Sequence, residues 1–183
     1  MNSDFFSTVT SVLEHHGDRE YAGLGLSVLE HMLQSAREAE TAHAEKHEVV
    51  AALLHDIGHF VVEFPAEMKN FKDTGHDEAG AALLEPFFSP EIVEPIRLHV
   101  RAKRYLCTVE PSYYDKMTKP VKHTFRLQGG KMSASELNKF RALPFAEEAA
   151  RLRRWCDLGM KPGRKTKVFE EYFPLIRSVL KGE

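Results

Sequence analysis

An apolar run that ends in two adjacent metal-ligand residues constrains the fold of this chain more than any other feature. Residues 49–58 read Val-Val-Ala-Ala-Leu-Leu-His-Asp-Ile-Gly. An ionised carboxylate at the end of such a run is expensive to bury unless a cation or strong hydrogen-bond donors satisfy it. Neighbouring helical residues point about 100° apart, so His55 and Asp56 can share one ion only near a helix end. Gly58 predicts that end.

Helical spacing of apolar residues continues along most of the chain. Residues 21–40 carry His31 and repeat apolar residues at this spacing, so one face of a helix should be buried there. Helix-opening patterns stand before three later segments. They are Thr74 before His76, Ser89 before Pro90, and the capping-box pair Ser133 and Glu136. No segment has the convincing alternation of a β-strand, and the sequence predicts an all-α fold.

Proline and glycine set the remaining expected boundaries. We expect a helix over 46–57, a kink or restart at Pro95, and a turn at Gln128-Gly129-Gly130. A further helix should open at Pro144 and carry Asp157, and a last helix over 167–181 should be kinked at Pro174. Residues 59–73 look irregular, and 106–124 have no clear pattern.

Length and composition predict one globular domain over residues 1–183. The chain has 183 residues, of which 43% are hydrophobic and 28% charged, as in ordinary globular proteins. Its formal charge of −2 gives no reason to expect nucleic acid or an anionic membrane as partner. No apolar run approaches the roughly 20 residues that span a bilayer, and Met1 is not followed by a secretory signal pattern. Cys107 and Cys156 form no short-spaced metal motif, and we expect a cytoplasmic protein.

Six residues have side chains that suit a pair of first-row metal ions. They are His31, His55, Asp56, His76, His99 and Asp157. Asp56 has two oxygens and could bridge two ions. His76 and His99 would then complete one ion, while His31, His55 and Asp157 complete the other. These ligands would serve a phosphohydrolase, whose metals activate water, or an iron oxygenase, whose metals activate dioxygen.

Five segments, in order along the chain, resemble the HD-domain superfamily and, within it, the mixed-valent di-iron oxygenases. They are 29–35 (Leu-Glu-His-Met-Leu-Gln-Ser), 51–59 (Ala-Ala-Leu-Leu-His-Asp-Ile-Gly-His), 99–106 (His-Val-Arg-Ala-Lys-Arg-Tyr-Leu), 128–132 (Gln-Gly-Gly-Lys-Met) and 154–157 (Arg-Trp-Cys-Asp). The likeness is closest to members that cleave the carbon–phosphorus bond of 1-hydroxyphosphonates. It implies an HD-domain helical bundle around two iron ions, Fe(II) and Fe(III), with dioxygen as co-substrate.

The resemblance also implies roles for residues other than the histidine ligands. Tyr21 matches a family tyrosine that ligates iron before substrate arrives and then moves aside. The residues expected to take part in catalysis are Tyr21, Asp56, His59 and Lys103. The residues expected to contact the substrate are Tyr21, Leu24, His59, Lys103, Gln128 and Arg154. Lys103 follows His99 by four residues and Arg154 precedes Asp157 by three, so each should share a helical face with a ligand.

Leu24 departs from the members that act on a primary amine, which have a glutamate here for the substrate ammonium. Loss of that ion-pair partner favours a quaternary ammonium, which aromatic faces can hold. The expected substrate is therefore (R)-1-hydroxy-2-(trimethylammonio)ethylphosphonate, cleaved to glycine betaine and phosphate. Its alternatives are 2-amino-1-hydroxyethylphosphonate and hydroxymethylphosphonate. A separate hydroxylase would have to make such a substrate first.

Two functions of other classes stay open at this stage. A two-metal HD phosphohydrolase would act on phosphate esters and would need no oxygen. A non-enzymatic metal-binding or regulatory module would bind metal without turnover, and substitution of Lys103 or Arg154 would leave its function intact.

Overall fold

Helices form the regular structure of the residues described by the computed structural model, which are 2–16, 18, 20–21, 24–61 and 75–182. In chain order they are α1 (Asn2–His16), α2 (Val28–Thr41), α3 (Lys46–Leu54), α4 (Gly58–Val61), α5 (His76–Leu84), α6 (Pro90–Val109), α7 (Pro111–Lys116), α8 (Lys119–Leu127), α9 (Ala134–Arg141), α10 (Ala146–Leu158), a 3-10 helix (Phe169–Tyr172) and α11 (Phe173–Arg177). Within these ranges β-structure is limited to two isolated bridges. The all-α prediction is confirmed.

Four helices pack against one another at the centre of the molecule: α2, α3, α6 and α10. Each contributes a fully buried apolar residue to the main core, namely Met32, Leu53, Ile96 and Leu152. Short α4 packs on α5, and α5 packs on α6. Because these elements share one core, the polar residues on their inner faces are brought together.

The capping box predicted at Ser133 is present at the start of α9. The Ser133 amide donates to Glu136 Oε2 over 2.8 Å, and the Glu136 amide donates back to Ser133 Oγ. An unpredicted capping box opens α2, where the Ser27 amide donates to Glu30 over 2.7 Å. It starts α2 at Val28 instead of near residue 21. As a result, Tyr21 lies in a turn before the helix, where its amide donates to the Leu26 carbonyl over 2.8 Å.

Three helix boundaries near proline differ from the prediction. Helix α6 continues through Pro95 without a restart, and Ile92 and Ile96 on either side of that proline are buried. Helix α10 begins after Phe145, whose left-handed backbone (φ 62°) forms the cap, so Pro144 precedes the helix. The predicted closing helix is a 3-10 turn followed by α11, and Pro174 lies in the first turn of α11.

Two segments had no clear pattern in the sequence; the structure describes the backbone of 106–124 and, of residues 59–73, only 59–61. Residues 106–124 contain the end of α6, all of α7 and the start of α8. The predicted turn at 128–130 is present, with positive φ at both Gly129 and Gly130. Thr74 and most of the irregular segment lie outside the described residues, and the described cap of α5 is Gly75 (φ 66°). No helix of the described part of the chain has the length and apolarity that crossing a bilayer requires.

Candidate metal centre

The turn between α3 and α4 carries the central residues of the site. Helix α3 ends at Leu54, and His55 and Asp56 form the turn that leads to Gly58, the first residue of α4. The predicted helix end is therefore present, three residues earlier than the predicted bound of 57. Both side chains are almost fully buried. The turn lets both residues face the same interior space.

Backbone carbonyls fix the tautomer of three of the four histidines. The Nδ1 atoms lie 3.0 Å from the Gly159 oxygen for His31, 2.9 Å from the Ala52 oxygen for His55, and 2.7 Å from the Ile96 oxygen for His99. A carbonyl only accepts, so Nδ1 must carry the proton that it donates. A neutral imidazole then has its lone pair on Nε2, which is the usual arrangement for a metal-bound histidine.

The Nε2 atoms of the four histidines form two close pairs. His31 Nε2 lies 3.2 Å from His55 Nε2, and His76 Nε2 lies 3.1 Å from His99 Nε2. When neutral, His31 and His55 both present a lone pair at Nε2 and cannot hydrogen-bond to each other, and a cation beside them, either a proton or a metal ion, removes this repulsion. His99 presents its Nε2 lone pair in the same way, and His76 Nε2 beside it completes a second place for a cation. All four rings are buried, which disfavours leaving the pairs without one.

The carboxylate of Asp56 lies between the two histidine pairs. Its Oδ2 is 3.3 Å from His31 Nε2 and 3.4 Å from His55 Nε2, while its Oδ1 is 3.5 Å from His76 Nε2 and 3.4 Å from His99 Nε2. The side chain is 1% exposed, and neither oxygen has a hydrogen-bond partner among the described residues. Buried carboxylates are normally satisfied, so this donor set fits two metal ions bridged by one aspartate.

Electrostatics favour cations at this centre. Burial would raise the pKa of Asp56, but the imidazoles of His55 and His59 hold it well below its usual range. Burial would lower the pKa of His31, yet the neighbouring Cys156 and Asp56 raise it to about 10. Burial lowers the pKa of His59 to about 4, against the opposing influence of Asp56. The Asp56 carboxylate therefore stays ionised, and His31 attracts positive charge.

Two close backbone approaches hold the histidine-bearing segments together. A Cβ atom at Gly58 would lie 2.6 Å from the Gly80 nitrogen and closer still to the His76 carbonyl oxygen, so α4 and α5 meet backbone to backbone. A Cβ atom at Gly159 would lie 2.9 Å from the Ser35 nitrogen. These approaches place the start of α5 next to the α3–α4 turn, and the end of α10 next to α2.

Three other predicted residues border the centre. The Tyr21 ring stacks on the His31 ring with centroids 4.3 Å apart. The His59 ring stacks on the His76 ring at 4.0 Å, and its Nε2 lies 3.9 Å from Asp56 Oδ2. Lys103 on α6 is 4% exposed, and its charge lowers the pKa of His76, although burial is the main cause of that shift. All three side chains therefore lie beside the histidine cluster.

Arg154 does not face the centre as predicted. Its guanidinium is 43% exposed and pairs with Glu110. Arg153, one residue earlier, is the buried arginine at 4% exposed. Residues 153 and 154 precede Asp157 by four and by three positions, so both lie near its face of α10, and the packing of α10 against α6 and α2 buries residue 153.

Asp157 also lies outside the ligand cluster. Its carboxylate is held by Arg153 and by the Tyr113 hydroxyl. The thiol of Cys156 stands with His31 and His55 instead, with all three ligand atoms within 4.8 Å of one another. The sequence analysis missed Cys156, Arg153 and Tyr113. Only the four-residue spacing of Arg153 and Asp157 could have signalled that pairing.

Gln128 and Leu24 take peripheral positions. Gln128 is half-buried in the loop after α8, and its Oε1 has no hydrogen-bond partner among the described residues. Arg104 ties this loop to α6 by donating to the Gly130 carbonyl over 2.9 Å. Leu24 is half-buried in the turn that carries Tyr21, and its amide donates to the Tyr21 carbonyl.

Comparison with known proteins identifies the family. The family description that matches this chain is the HD domain, over residues 28–137. The chain belongs to the HD-domain family. The matched range contains four histidines of the centre and Asp56, and it ends before Cys156 and Asp157 on α10.

Three relatives of this HD-domain protein align over most of its length. Hydroxymethylphosphonate dioxygenase of Gimesia maris is 39% identical over 95% of this chain and 87% of its own. The [1-hydroxy-2-(trimethylamino)ethyl]phosphonate dioxygenase (glycine-betaine-forming) of Leisingera caerulea is 36% identical over 94% and 88%. Uncharacterized protein L432 of Acanthamoeba polyphaga mimivirus is 30% identical over 91% and 77%. The resemblance to phosphonate-cleaving HD oxygenases is confirmed.

Proposed function

We propose that this protein is an HD-domain dioxygenase that cleaves the carbon–phosphorus bond of a 1-hydroxyphosphonate with dioxygen. The single observation that carries the proposal is the buried Asp56 carboxylate, set between two pairs of Nε2 atoms and without a hydrogen-bond partner in the described chain. The two relatives named as phosphonate dioxygenases support the class of reaction. The products would be a carboxylate and inorganic phosphate, with one dioxygen consumed for each bond cleaved.

The proposed cofactor is a pair of iron ions, Fe(II) and Fe(III). His31 and His55 would hold one ion, His76 and His99 would hold the other, and Asp56 would bridge them. Imidazole and carboxylate ligands suit iron. When bound, the pair supplies the one-electron chemistry that allows dioxygen to react. The further ligand of the first ion comes from the end of α10, where Asp157 was predicted and Cys156 lies closest.

The residues that border the centre suit a dianionic phosphonate. Lys103 is buried on α6 and His59 lies beside Asp56, so both can meet phosphonate oxygens through charge-assisted or neutral hydrogen bonds. Tyr21 covers His31 and would have to move for a ligand to reach the ion behind it. Gln128 offers an amide from the loop tied to α6. Arg154 would reach the substrate only if it left Glu110, so we assign it a smaller part.

The proposed substrate is (R)-1-hydroxy-2-(trimethylammonio)ethylphosphonate. Leu24 lies three residues after Tyr21, in the same turn, and offers no carboxylate to a primary ammonium. Hydroxymethylphosphonate, which has no amine end, is the second candidate, and the relative of that name supports it. For either substrate, a separate hydroxylase would have to install the 1-hydroxyl group before this enzyme acts.

The test is phosphate release by iron-loaded protein, measured with and without dioxygen on the trimethylammonio, hydroxymethyl and primary-amine substrates. We expect oxygen-dependent release, fastest from the trimethylammonio compound. Release of phosphate from a phosphate ester without oxygen, with no release from any phosphonate, would favour the phosphohydrolase. Tight metal binding with no turnover of any of these compounds would leave the non-enzymatic module.

A further inference from the structure

One arginine outside the histidine cluster joins three segments of the chain. Arg104 on α6 donates from Nε to the Gly130 carbonyl over 2.9 Å, and from a terminal nitrogen to Glu136 Oε1 over 2.8 Å. It thereby connects α6 to the loop of residues 128–132 and to the first turn of α9. We propose that Arg104 is a positioning residue, which fixes the 128–132 loop against α6 so that the Gln128 amide meets the substrate phosphonate. The inference rests on the proposed function, which supplies the phosphonate.

The backbone of the loop lies directly against the Arg104 guanidinium. Gly129 (φ 101°) and Gly130 (φ 64°) both have a left-handed backbone, which glycine adopts most readily. A Cβ atom at Gly129 would lie 3.2 Å from Arg104 Cζ, closer than ordinary contact. A planar guanidinium offers donors to the loop and to Glu136 at once, whereas a lysine ammonium is one compact group. Lysine at position 104 would therefore lose one of the two connections.

A separate contact holds the far end of the loop. Thr108 Oγ1, one turn after Arg104 on α6, donates to the Arg104 carbonyl over 2.7 Å and accepts from the Met132 amide over 2.9 Å. The Met132 side chain is buried in a small core with Leu98 and Ala102, which also belong to α6. Because these contacts fix the end of the loop, the orientation of its first residues depends on Arg104.

The carboxylate of Glu136 holds the guanidinium in place from the other side. Its Oε2 accepts from the Ser133 amide over 2.8 Å, while its Oε1 accepts from Arg104. The bond from Ser133 and the bond from Arg104 lower the pKa of Glu136 to about 2. The carboxylate is therefore ionised near neutral pH, and the capping box of α9 and the loop share one anchor.

The loop approaches the residues expected to act on the substrate. Burial and the Asp157 carboxylate raise the pKa of Cys107 to about 11, and the charges of Lys103 and Lys131 oppose that rise. Such influence weakens with distance, so Lys131 of the loop and buried Lys103 lie around the same thiol. Gln128 Oε1 is buried without a hydrogen-bond partner among the described residues, although buried polar atoms normally have one. Rotation of the amide by 180° puts its NH2 group there, where it can donate to a phosphonate oxygen.

Hydrogen exchange of the zinc-loaded protein tests the anchoring without any substrate. The Gly130 and Met132 amides are hydrogen-bonded in the folded protein. In Arg104→Lys, exchange of these amides should be at least about tenfold faster. Arg97→Lys is the matched control, because Arg97 lies on the same helix, is similarly buried and pairs with glutamates of its own; it should leave the loop unchanged. Equal exchange in Arg104→Lys and the wild-type protein would overturn the anchoring role.

A double-mutant cycle tests whether Arg104 acts through Gln128. The measurement is the Kd of hydroxymethylphosphonate for zinc-loaded protein, by calorimetry, with two bound zinc ions required in every variant. Arg104→Lys and Gln128→Ala should each raise Kd about two- to tenfold. The double variant should bind no worse than the weaker single variant, because substitutions that remove one shared contact are not additive.

Two results of the cycle would count against the inference in different ways. Losses that multiply in the double variant would overturn it, since Arg104 would then act on binding by another route. A wild-type protein that binds no phosphonate would refute the proposed function and with it the contact of Gln128, whereas the exchange experiment would still decide whether Arg104 anchors the loop.

Discussion

Replacement of Gly58 by alanine should separate α4 from α5 and pull His76 away from Asp56. The added Cβ would stand 2.6 Å from the Gly80 nitrogen, where ordinary contact begins at 3.4 Å. The two backbones must therefore part by about 0.8 Å there, and by more at the His76 carbonyl oxygen. Because metal–ligand distances tolerate only about 0.2 Å, the ion held by His76 and His99 should bind much more weakly.

The same substitution should also lower stability. Overpacking costs about 1–3 kcal/mol, and in a chain of this size each kcal/mol lowers Tm by about 2–4 °C. The assays are thermal melting of the metal-free protein and metal stoichiometry after equilibrium dialysis, which should fall from two ions to about one. The control is Ala82→Gly, on the exposed face of α5, which should cost roughly 1 kcal/mol of helix propensity and still bind two ions. An unchanged Tm and two tightly bound ions in Gly58→Ala would refute the argument.

Four further changes test other parts of the structure. Asp56→Ala should abolish the coupled pair of ions, and two magnetically coupled irons in this variant would contradict the bridge. Leu24→Glu should shift the kcat/KM ratio toward the primary-amine substrate by about 1–3 kcal/mol, and an unchanged ratio would place Leu24 outside the amine pocket. Lys103→Met should lower kcat/KM for the phosphonate by about 1.5–3 kcal/mol with metal content unchanged, whereas exposed Lys139→Met should leave both unchanged. Phe5→Ala, which removes edge contacts to Phe6, Phe87 and Phe88, should cost about 3–5 kcal/mol of stability. A Tm within about 2 °C of the wild-type value would mean that Phe5 is not part of the main core.

The sequence was sufficient to predict the helical fold and the helix end at His55 and Asp56, because both depend on local patterns. The apolar run before His55 fixes a buried helix, and the adjacent aspartate makes sense there only with a cation or strong donors beside it. The capping box at Ser133 and Glu136 is a contact within one turn and was predicted correctly. Features of this kind need no knowledge of how distant segments pack.

The predicted and observed positions differ where a shift of one residue along a helix decides which of two neighbours is buried. Arg153 and Arg154 have the same side chain, so residue type alone does not indicate which of the two is buried. Packing against α6 and α2 selects the face with Arg153. Cys156 was set aside because no second cysteine is near in sequence, yet its partners His31 and His55 belong to α2 and the α3–α4 turn. Only the tertiary structure brings these three together.

The orientation of three histidine rings by main-chain carbonyls has a consequence for how this protein can change. The oxygens of Ala52, Ile96 and Gly159 belong to the backbone, so no single side-chain replacement deletes them. Substitution of the surrounding side chains therefore leaves the direction of the Nε2 lone pairs unchanged. Side chains that line the substrate space can be exchanged while the metal-binding geometry is inherited intact. A protein whose metal ligands are oriented by its backbone can change its substrate specificity while the metal ligands keep their positions.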